Sequence, residues 1–490
     1  MDWTDLIIEW LLPAAVLSSS LVTIIILTLP PPYTPSHVPC WTRDDFSDHD
    51  QEHADRSGFT HFQRHHDDRG RYRPSCAVQV VVLGDVGRSP RVQYHAMSIA
   101  AHGGHVNVIG YVETDVHPAL RAHRFVDITP LRPFPKPLHS RHKVLFLLLG
   151  PLKVLWQTWS LYHAIMYRSP AAQWMLVQNP PSMPTLFVAQ LCCLVRKTRL
   201  IIDWHNFAYS ILALRLGGRH PFVWMAKWYE GIVSRGADFH FAVTSAMTKC
   251  LRRQWGVEAT VLHDRPPAHF QPLSHEQRSA LLYRLPETAV YASAIEEGSR
   301  RLIVSSTSWT ADEDFSIFLD ALVDYSSAAQ DTPFLPQILA IITGQGPQKE
   351  LYQSRIRQLN RDSKLHNVVV LTAWLSADDY ASLLGSADLG VSLHTSSSGV
   401  DLPMKVVDMF GAGLPVAGWS AFEAWPELVH EGVNGRGFDS AEQLSSILQE
   451  LFEGEGRHLA RLREGALKEC ERRWNDEWMP VAGKLLKLES

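Results

Sequence analysis

The sequence predicts an α/β protein of two doubly wound, Rossmann-like domains facing a cleft, preceded by a transmembrane helix. Three observations predict it. Short valine-rich apolar runs alternate with helix-length segments in two successive series. Polar, often glycine-bearing loops follow those runs, and a stretch without charge occupies the N-terminus. Alternation of strand and helix signals is the mark of parallel sheets covered by helices on both faces. The 490 residues give room for two or three domains at about 150 each. A composition 46% hydrophobic and 20% charged excludes a wholly disordered or fibrous chain. Lys and Arg total 46 against 51 Asp and Glu, a net charge of -5 that argues against a broad nucleic-acid-binding face. The six cysteines (Cys40, Cys76, Cys192, Cys193, Cys250, Cys470) show no CxxC or Cys/His ligand spacing and read as reduced thiols on the cytosolic side.

Taken in order, residues 1–40 read as a membrane anchor. From Trp10 to Thr42 there is no Asp, Glu, Lys or Arg, and Leu11–Leu29 is long enough to span roughly 28 Å as a helix. A cleaved signal peptide would begin with basic residues, whereas Asp2, Asp5 and Glu9 lead here and Pro30-Pro31-Pro32 follows. Arg43 comes after the apolar stretch, which by the positive-inside rule places the body of the protein in the cytosol. Residues 41–75 then form a charged linker without apolar period.

From Ala77 the first strand series begins: Ala77–Leu83, His105–Gly110, Trp174–Gln178, Leu200–Asp203, Phe239–Val243 and Thr260–Leu262. The second runs through Leu302–Ser305, Ile338–Thr343, Val368–Leu371, Leu389–Leu393 and Pro415–Ala417. Leu273–Gly298 has no strand signal and follows Pro266-Pro267, so the domains are expected at 76–265 and 266–490. The segment Val144–Tyr167 carries Trp156, Trp159, Tyr162 and Tyr167 with Lys153 as its only charge. It reads as an interfacial segment or a core helix, with an interruption expected at Gly150-Pro151.

Polar motifs follow the strands where open α/β sheets place ligands: Gly84–Pro90, Gln178–Pro181, Trp204–Asn206, His263–Arg265, Thr343–Pro347 and His394–Gly399. Gly84-x-x-Gly87 has neither dinucleotide nor P-loop spacing. It fits a tight turn into a helix opened by Pro90, or a close ligand approach. Ser396–Gly399 precedes an expected helix at Leu402–Phe410, whose free N–H groups would suit a diphosphate. Lys405, one turn inside, would add a positive charge there or be a solvated helix lysine. Asp312-x-Asp314 resembles a metal-binding acid pair but reads better as an acidic helix start.

The strings GDVGRSPRVQYHA (84–96), IDWHNFAYS (202–210), VLHDRPP (261–267), SSTSWTADEDF (305–315), ITGQGP (342–347) and LHTSSSGVDLPMKVVDMFGAGLPV (393–416) carry a family resemblance. The chain resembles the cytosolic-face mannosyltransferases that act early in asparagine-linked glycan assembly, the chitobiosyldiphosphodolichol β-mannosyltransferases. The likeness covers the anchor and roughly residues 76–480, while the acidic insert at 41–73 falls outside the pattern.

That resemblance implies a GT-B fold, GDP-mannose as donor substrate with no tightly bound cofactor, and inverting transfer to dolichyl-diphosphate-linked chitobiose. It implies a single-pass endoplasmic reticulum protein with its catalytic domain in the cytosol. It places Gly344, Gly346 and Trp374 near the guanine end, Ser396, Ser397, Ser398, Gly399 and Lys405 at the diphosphate, and Asp408 at the ribose. Related GT-B enzymes often carry glutamates eight apart here; this chain has Asp401 and Asp408, seven apart. No basic residue occurs in Ser305–Asp314, so Arg88 or Arg265 would supplement the phosphate contacts. Gly84, Gly87 and Asn206 are further candidates for phosphate or acceptor contact. Asp85 and His205 are both candidates for the catalytic base; Asp85, with a usefully raised pKa, is favoured, with His205 as the sugar-positioning group, and the scheme requires no metal. A non-catalytic sugar-nucleotide-binding subunit and a retaining mannosyltransferase remain alternatives at this point.

Overall fold

In the computed structural model, the residues described are 28–34, 74–135, 143–310, 313–332, 334–454 and 456–488, without the side chains of 143–148. Two parallel sheets organise them. The first has seven strands in the order β3-β2-β1-β4-β5-β6-β7: β1 Ala77–Asp85, β2 His105–Tyr111, β3 Val126–Pro130, β4 Trp174–Asn179, β5 Arg199–Trp204, β6 Phe239–Ala242 and β7 Thr260–Val261. The second has six in the order β10-β9-β8-β11-β12-β13: β8 Arg300–Ser306, β9 Gln337–Thr343, β10 Val368–Ala373, β11 Leu389–Ser392, β12 Val416–Trp419 and β13 Gly435–Phe438.

Each sheet reverses its strand order once, between β1 and β4 and between β8 and β11. Such a switch leaves a crevice beyond the carboxyl ends of the two strands, because the flanking connections leave toward opposite sides. The expected pair of doubly wound sheets is therefore present. The expectation lacked β3 and β13. The first is a five-residue strand ending in Pro130 and the second is Gly435-Arg436-Gly437-Phe438. Proline and glycine weaken any strand signal, and only pairing with β2 and β12 holds these segments extended.

Helices of eight residues or more are α1 Pro90–Ala101, α2 Lys143–His163, α3 Thr185–Arg196, α4 Ala208–Leu216, α5 Pro221–Ser234, α6 Ser245–Trp255 and α7 His275–Arg284. They continue with α8 Phe315–Asp331, α9 Lys349–Arg361, α10 Ala377–Ser386, α11 Met404–Gly411, α12 Ala441–Phe452 and α13 Arg457–Cys470. Residues Ala77–Leu83 of β1 are buried without alternation, as expected of a strand covered on both faces. Around the second sheet, Ile303, Ile338 and Ile342 pack with Phe315, Phe318 and Tyr325 in one apolar core.

By compactness the chain divides into two units. One runs up to Asp203 and takes in Ile232–Phe239 and the residues from Gly483; the other comprises Trp204–Gly231 and His240–Ala482. The expected junction at 265–266 falls between β7 and β8.

The expected span Leu11–Leu29 lies, except for its last two residues, outside the described residues, as does nearly all of the charged linker. Among the described residues no helix is long and apolar enough to cross a membrane. Thr28–Thr34 is described, and there the Tyr33 amide donates to the Arg196 carbonyl at 2.8 Å beside Ala77 and Ala172. The break expected at Gly150-Pro151 is absent, because α2 continues through Pro151. A proline removes one helical hydrogen bond. Here the last turns are held by packing, with Ser160, Leu161 and Ala164–Met166 buried. Leu155 and Trp159 lie on the other face, 66% and 59% exposed.

Candidate active site

At the switch of the second sheet, the loop after β8 and the loop after β11 meet. Glu313 and His394 form an isolated antiparallel backbone bridge between them. Glu313 is buried, and its Oε2 accepts from Thr307 Oγ1 at 2.6 Å and from the Ser308 amide at 3.0 Å. Its Oε1 forms an ion pair with Lys405 Nζ in the first turn of α11. Lys405 is thus no freely solvated helix lysine; a buried carboxylate 92 residues away holds its ammonium. Asp314 does what an acidic helix start predicts, accepting from the Ser316 amide at 2.9 Å as the N-cap of α8. Asp312 lies outside the described residues, and no group of metal-ligating side chains occurs among those described.

The loop after β11 is wrapped around Asp401. His394 Nε2 lies 3.0 Å from Asp401 Oδ2, Ser398 Oγ donates to Oδ1 at 3.1 Å, and Ser396 Oγ donates to the same Oδ1. Ser396 takes φ 56° and Gly399 φ 75°, and the Gly399 amide donates to Ser396 Oγ at 2.8 Å. This tight reversal delivers the chain to α11, whose N-terminus carries no side-chain cap. Uncapped first-turn amides with a lysine among them form an anion-binding arrangement. Burial raises the Asp401 pKa, but the His394 imidazole and the Ser396 hydroxyl outweigh it and leave the group below the usual carboxylate range.

Asp408, one turn further along α11, goes the other way. Desolvation, then repulsion from Asp264, push it up to about 8 against the attraction of Lys405. It is therefore protonated at neutral pH.

The glycines after β9 do structural work against the β8 loop. A Cβ on Gly344 would come within 1.8 Å of the Thr307 carbonyl oxygen, and one on Gly346 within 1.8 Å of that of Ser308. Trp374 follows β10 and is 68% exposed, a large ring standing in solvent.

Residues after β5 buttress the same loop. Asn206 Nδ2 donates to Ser397 Oγ at 3.0 Å, and Ser210 Oγ lies 3.2 Å from the same atom. Thr244 Oγ1 donates to the Val400 carbonyl at 2.6 Å. His205 sits half-buried at the end of β5, next to Asn206.

In the first sheet the loops at the β1/β4 switch are Gly84–Pro90 and Gln178–Pro181. Asp85 does not carry the raised pKa expected of it. Burial pushes it up, but donation from Thr114 Oγ1 at 2.5 Å and from the amides of Glu113, Thr114 and Gly87 wins, so it is lowered. Gly87 turns tightly against the chain's own next loop, where an added Cβ would meet Thr114 Oγ1 at 2.4 Å. Gly84 is roomier, with only Val82 at 3.4 Å. Arg88 is exposed and lies 3.7 Å from Asp85. Arg265 is also corrected: it is buried and ion-paired with Glu469 and Glu477, so its charge is already compensated within the fold.

Sequence reasoning missed Glu313 as a partner of Lys405, because it stands between two aspartates of an ordinary helix start. It also missed Ser210, the last residue of the string 202–210, whose hydroxyl lies on a helix past the polar motif Trp204–Asn206. A cavity of about 520 Å³ lined in part by Ser420, Trp425 and His430 includes none of the residues singled out from sequence.

No family model matches the chain. A chitobiosyldiphosphodolichol β-mannosyltransferase of Arthroderma benhamiae is 54% identical over 371 residues, covering 75% of this chain and 83% of the relative. A protein of the same name from Yarrowia lipolytica is 40% identical over 414 residues, covering 84% and 86%. Among solved structures, Anabaena Alr3699/HepE in complex with UDP and glucose aligns with a TM-score of 0.58 at 16% identity. That alignment covers 83% of this chain and 98% of the other, a likeness of fold.

Proposed function

This chain belongs to the family of chitobiosyldiphosphodolichol β-mannosyltransferases, enzymes of GT-B fold, and from that membership we propose that it transfers mannose to diphosphodolichol-linked chitobiose in N-glycosylation. The bond made is the β-1,4-mannosidic bond on the chitobiose. The donor is GDP-mannose, and because its mannose is α-linked, the transfer inverts configuration. One observation carries the placement of the donor: the β8/β11 switch assembles Lys405, Glu313 and the Ser396–Gly399 turn at an uncapped helix N-terminus. Amide dipoles there stabilise anionic groups, which is what a departing diphosphate requires, and the Lys405 ammonium would join them where donor phosphate takes it over from Glu313.

In this scheme residues 266–490 hold the nucleotide sugar and residues 76–265 face the acceptor. Gly344 and Gly346 let the β9 loop lie close on the β8 loop, leaving Trp374 for the guanine end. Asp408, neutral at pH 7, offers a proton to a ribose hydroxyl oxygen or accepts from it. Asp85 is ionised at neutral pH and so is able to accept the proton of the attacking hydroxyl, although its low pKa makes it a weak base. His205 positions the sugar. The family points to association with the endoplasmic reticulum membrane, and Leu11–Leu29 would supply a single-pass anchor with the catalytic residues in the cytosol.

The test is to incubate the purified full chain with GDP-mannose and a phytanyl- or dolichyl-diphosphate chitobiose. A trisaccharide product that β-mannosidase cleaves and α-mannosidase does not is expected. Donor binding without product would make the chain a binding subunit, and an α-linked product would make it a retaining enzyme. Either result overturns the proposal.

A further inference from the structure

The helical hairpin α4–α5 is built inside out. In an ordinary surface helix the apolar stripe faces the core. Along Pro221–Trp228 of α5 only Val223 is buried, while Phe222, Trp224, Met225 and Trp228 are 58%, 70%, 45% and 58% exposed. Leu214 and Leu216 near the end of α4 are 57% and 42% exposed. The turn between the helices is Gly217-Gly218-Arg219-His220, and within it only the His220 ring lies against one of these side chains, 5.3 Å from the Phe222 ring, which stays 58% exposed.

Charge gives this surface a direction. Between Asp203 and Glu230 the chain has no acidic residue, yet Arg215, Arg219 and Lys227 lie among the exposed apolar groups. Tryptophan and phenylalanine with flanking cations match the boundary of a bilayer, where rings settle at headgroup depth and long basic side chains reach anionic headgroups. A water-soluble protein partner would meet uncompensated positive charge at the rim of an apolar contact.

The root of the hairpin is as ordered as its tip is bare. Buried Glu230 accepts from the amides of Ala208 at 2.9 Å and Tyr209 at 3.3 Å, joining the start of α4 to α5. Lys227 Nζ lies over the Tyr209 ring at 5.1 Å from its centroid. Ser210, in the first turn of α4, and Asn206 just before it contact Ser397 of the donor-side loop. The exposed tip thus belongs to the same compact unit that carries that loop.

We infer that the α4–α5 hairpin docks onto the anionic surface of a lipid bilayer through Phe222, Trp224, Met225 and Trp228, with Arg215 and Arg219 on the headgroups. The inference rests on the reading of the acceptor as lipid-linked, and it names the surface on which this unit would meet that lipid. It is separate from the anchor proposed at Leu11–Leu29.

The test uses the full chain with Cys40 and Cys250 changed to serine and an environment-sensitive fluorophore on Trp224→Cys. A control carries the label on Val290→Cys, which is 86% exposed in the same unit. Both are reconstituted in phosphatidylcholine vesicles containing about a third phosphatidylserine, the lipid class that attracts basic segments. The label at 224 is expected to shift to the blue and to be quenched by acyl-chain bromine at least about threefold more than the label at 290. Adding R215E and R219E is expected to reduce that quenching. Equal iodide quenching at both positions, with none from brominated lipid, overturns the inference. Shielding from iodide without lipid quenching also overturns it, because a protein, such as a second copy of the chain, then covers the hairpin. The readout needs no turnover, so docking without trisaccharide formation would overturn the transferase reading alone.

Discussion

Lys405 and Asp408 lie on the same helix face, one turn apart, and their chemistry is set by opposite neighbours. Lys405 is held by Glu313. Lys405→Ala removes a charge from the proposed diphosphate site and leaves Glu313 buried without its cation. Loss of a charge-assisted contact of about 1.5–3 kcal/mol corresponds to roughly 10- to 150-fold in donor use. The KM or kcat/KM for GDP-mannose is expected to change by that factor with the KM for acceptor nearly constant; unchanged donor kinetics would reduce the lysine to a structural partner of Glu313. Asp408 binds its proton more tightly folded than unfolded, since its pKa rises from 3.8 to about 8. The native state therefore holds a proton that the unfolded chain has lost between those values, and stability falls as pH rises from about 4 to about 8. Asp408→Asn is expected to flatten that part of the stability profile and to raise the melting temperature most near pH 8. Urea unfolding at several pH values checks this, and an unaltered slope contradicts the assignment. From sequence, Lys405 was a site candidate because it follows a small-residue turn, and Asp408 only through the family resemblance. The Glu313 contact was not, because no local pattern announces a partner so far along the chain.

Among the elements, strands buried on both faces were the easiest to read, since unbroken runs such as Val80–Leu83 signal themselves. The edge strands β3 and β13 were not, because proline or glycine dilutes their pattern and pairing supplies what propensity lacks. Helix α2 shows a different limit. A proline ordinarily marks a break, yet packing of the last turns outweighs one lost bond. Its two faces make distinct predictions. Trp156 is half-buried, its Nε1 donating to the Arg132 carbonyl at 3.2 Å, whereas Leu155 and Trp159 are exposed. Trp156→Ser is expected to destabilise the fold by about 1–2 kcal/mol through lost packing and a lost hydrogen bond. Leu155→Ser with Trp159→Ser is expected to leave the melting temperature and short-chain activity nearly unchanged while lowering activity on a long dolichyl acceptor in vesicles. Equal loss on both acceptors would assign the exposed face to folding.

At the scale of the whole molecule, the order of strands and polar loops in the sequence sufficed to foresee two doubly wound sheets and the loops at their switch points. It did not reveal where compensating charges lie: Arg265, named beside Arg88 as a supplementary phosphate contact, is ion-paired with Glu469 and Glu477. The proposed site residues all follow Leu83, which predicts that a chain beginning at Ser75 keeps activity in detergent with a short-chain acceptor. Its stability is expected to fall by about 1 kcal/mol, the worth of a lost backbone hydrogen bond such as that of Tyr33. Complete inactivity of a folded truncation would show that the first 74 residues take part in the chemistry.

The most direct test of the account is hydrogen exchange of the full chain with and without GDP-mannose. Ligand that binds the native state slows local opening where it binds. Protection is predicted in peptides covering Ser305–Asp314 and His394–Gly411, with Gly84–Pro90 little changed in the absence of acceptor. Protection confined to Gly84–Pro90 and Gln178–Pro181, with the β8 and β11 loops unaffected, would contradict it.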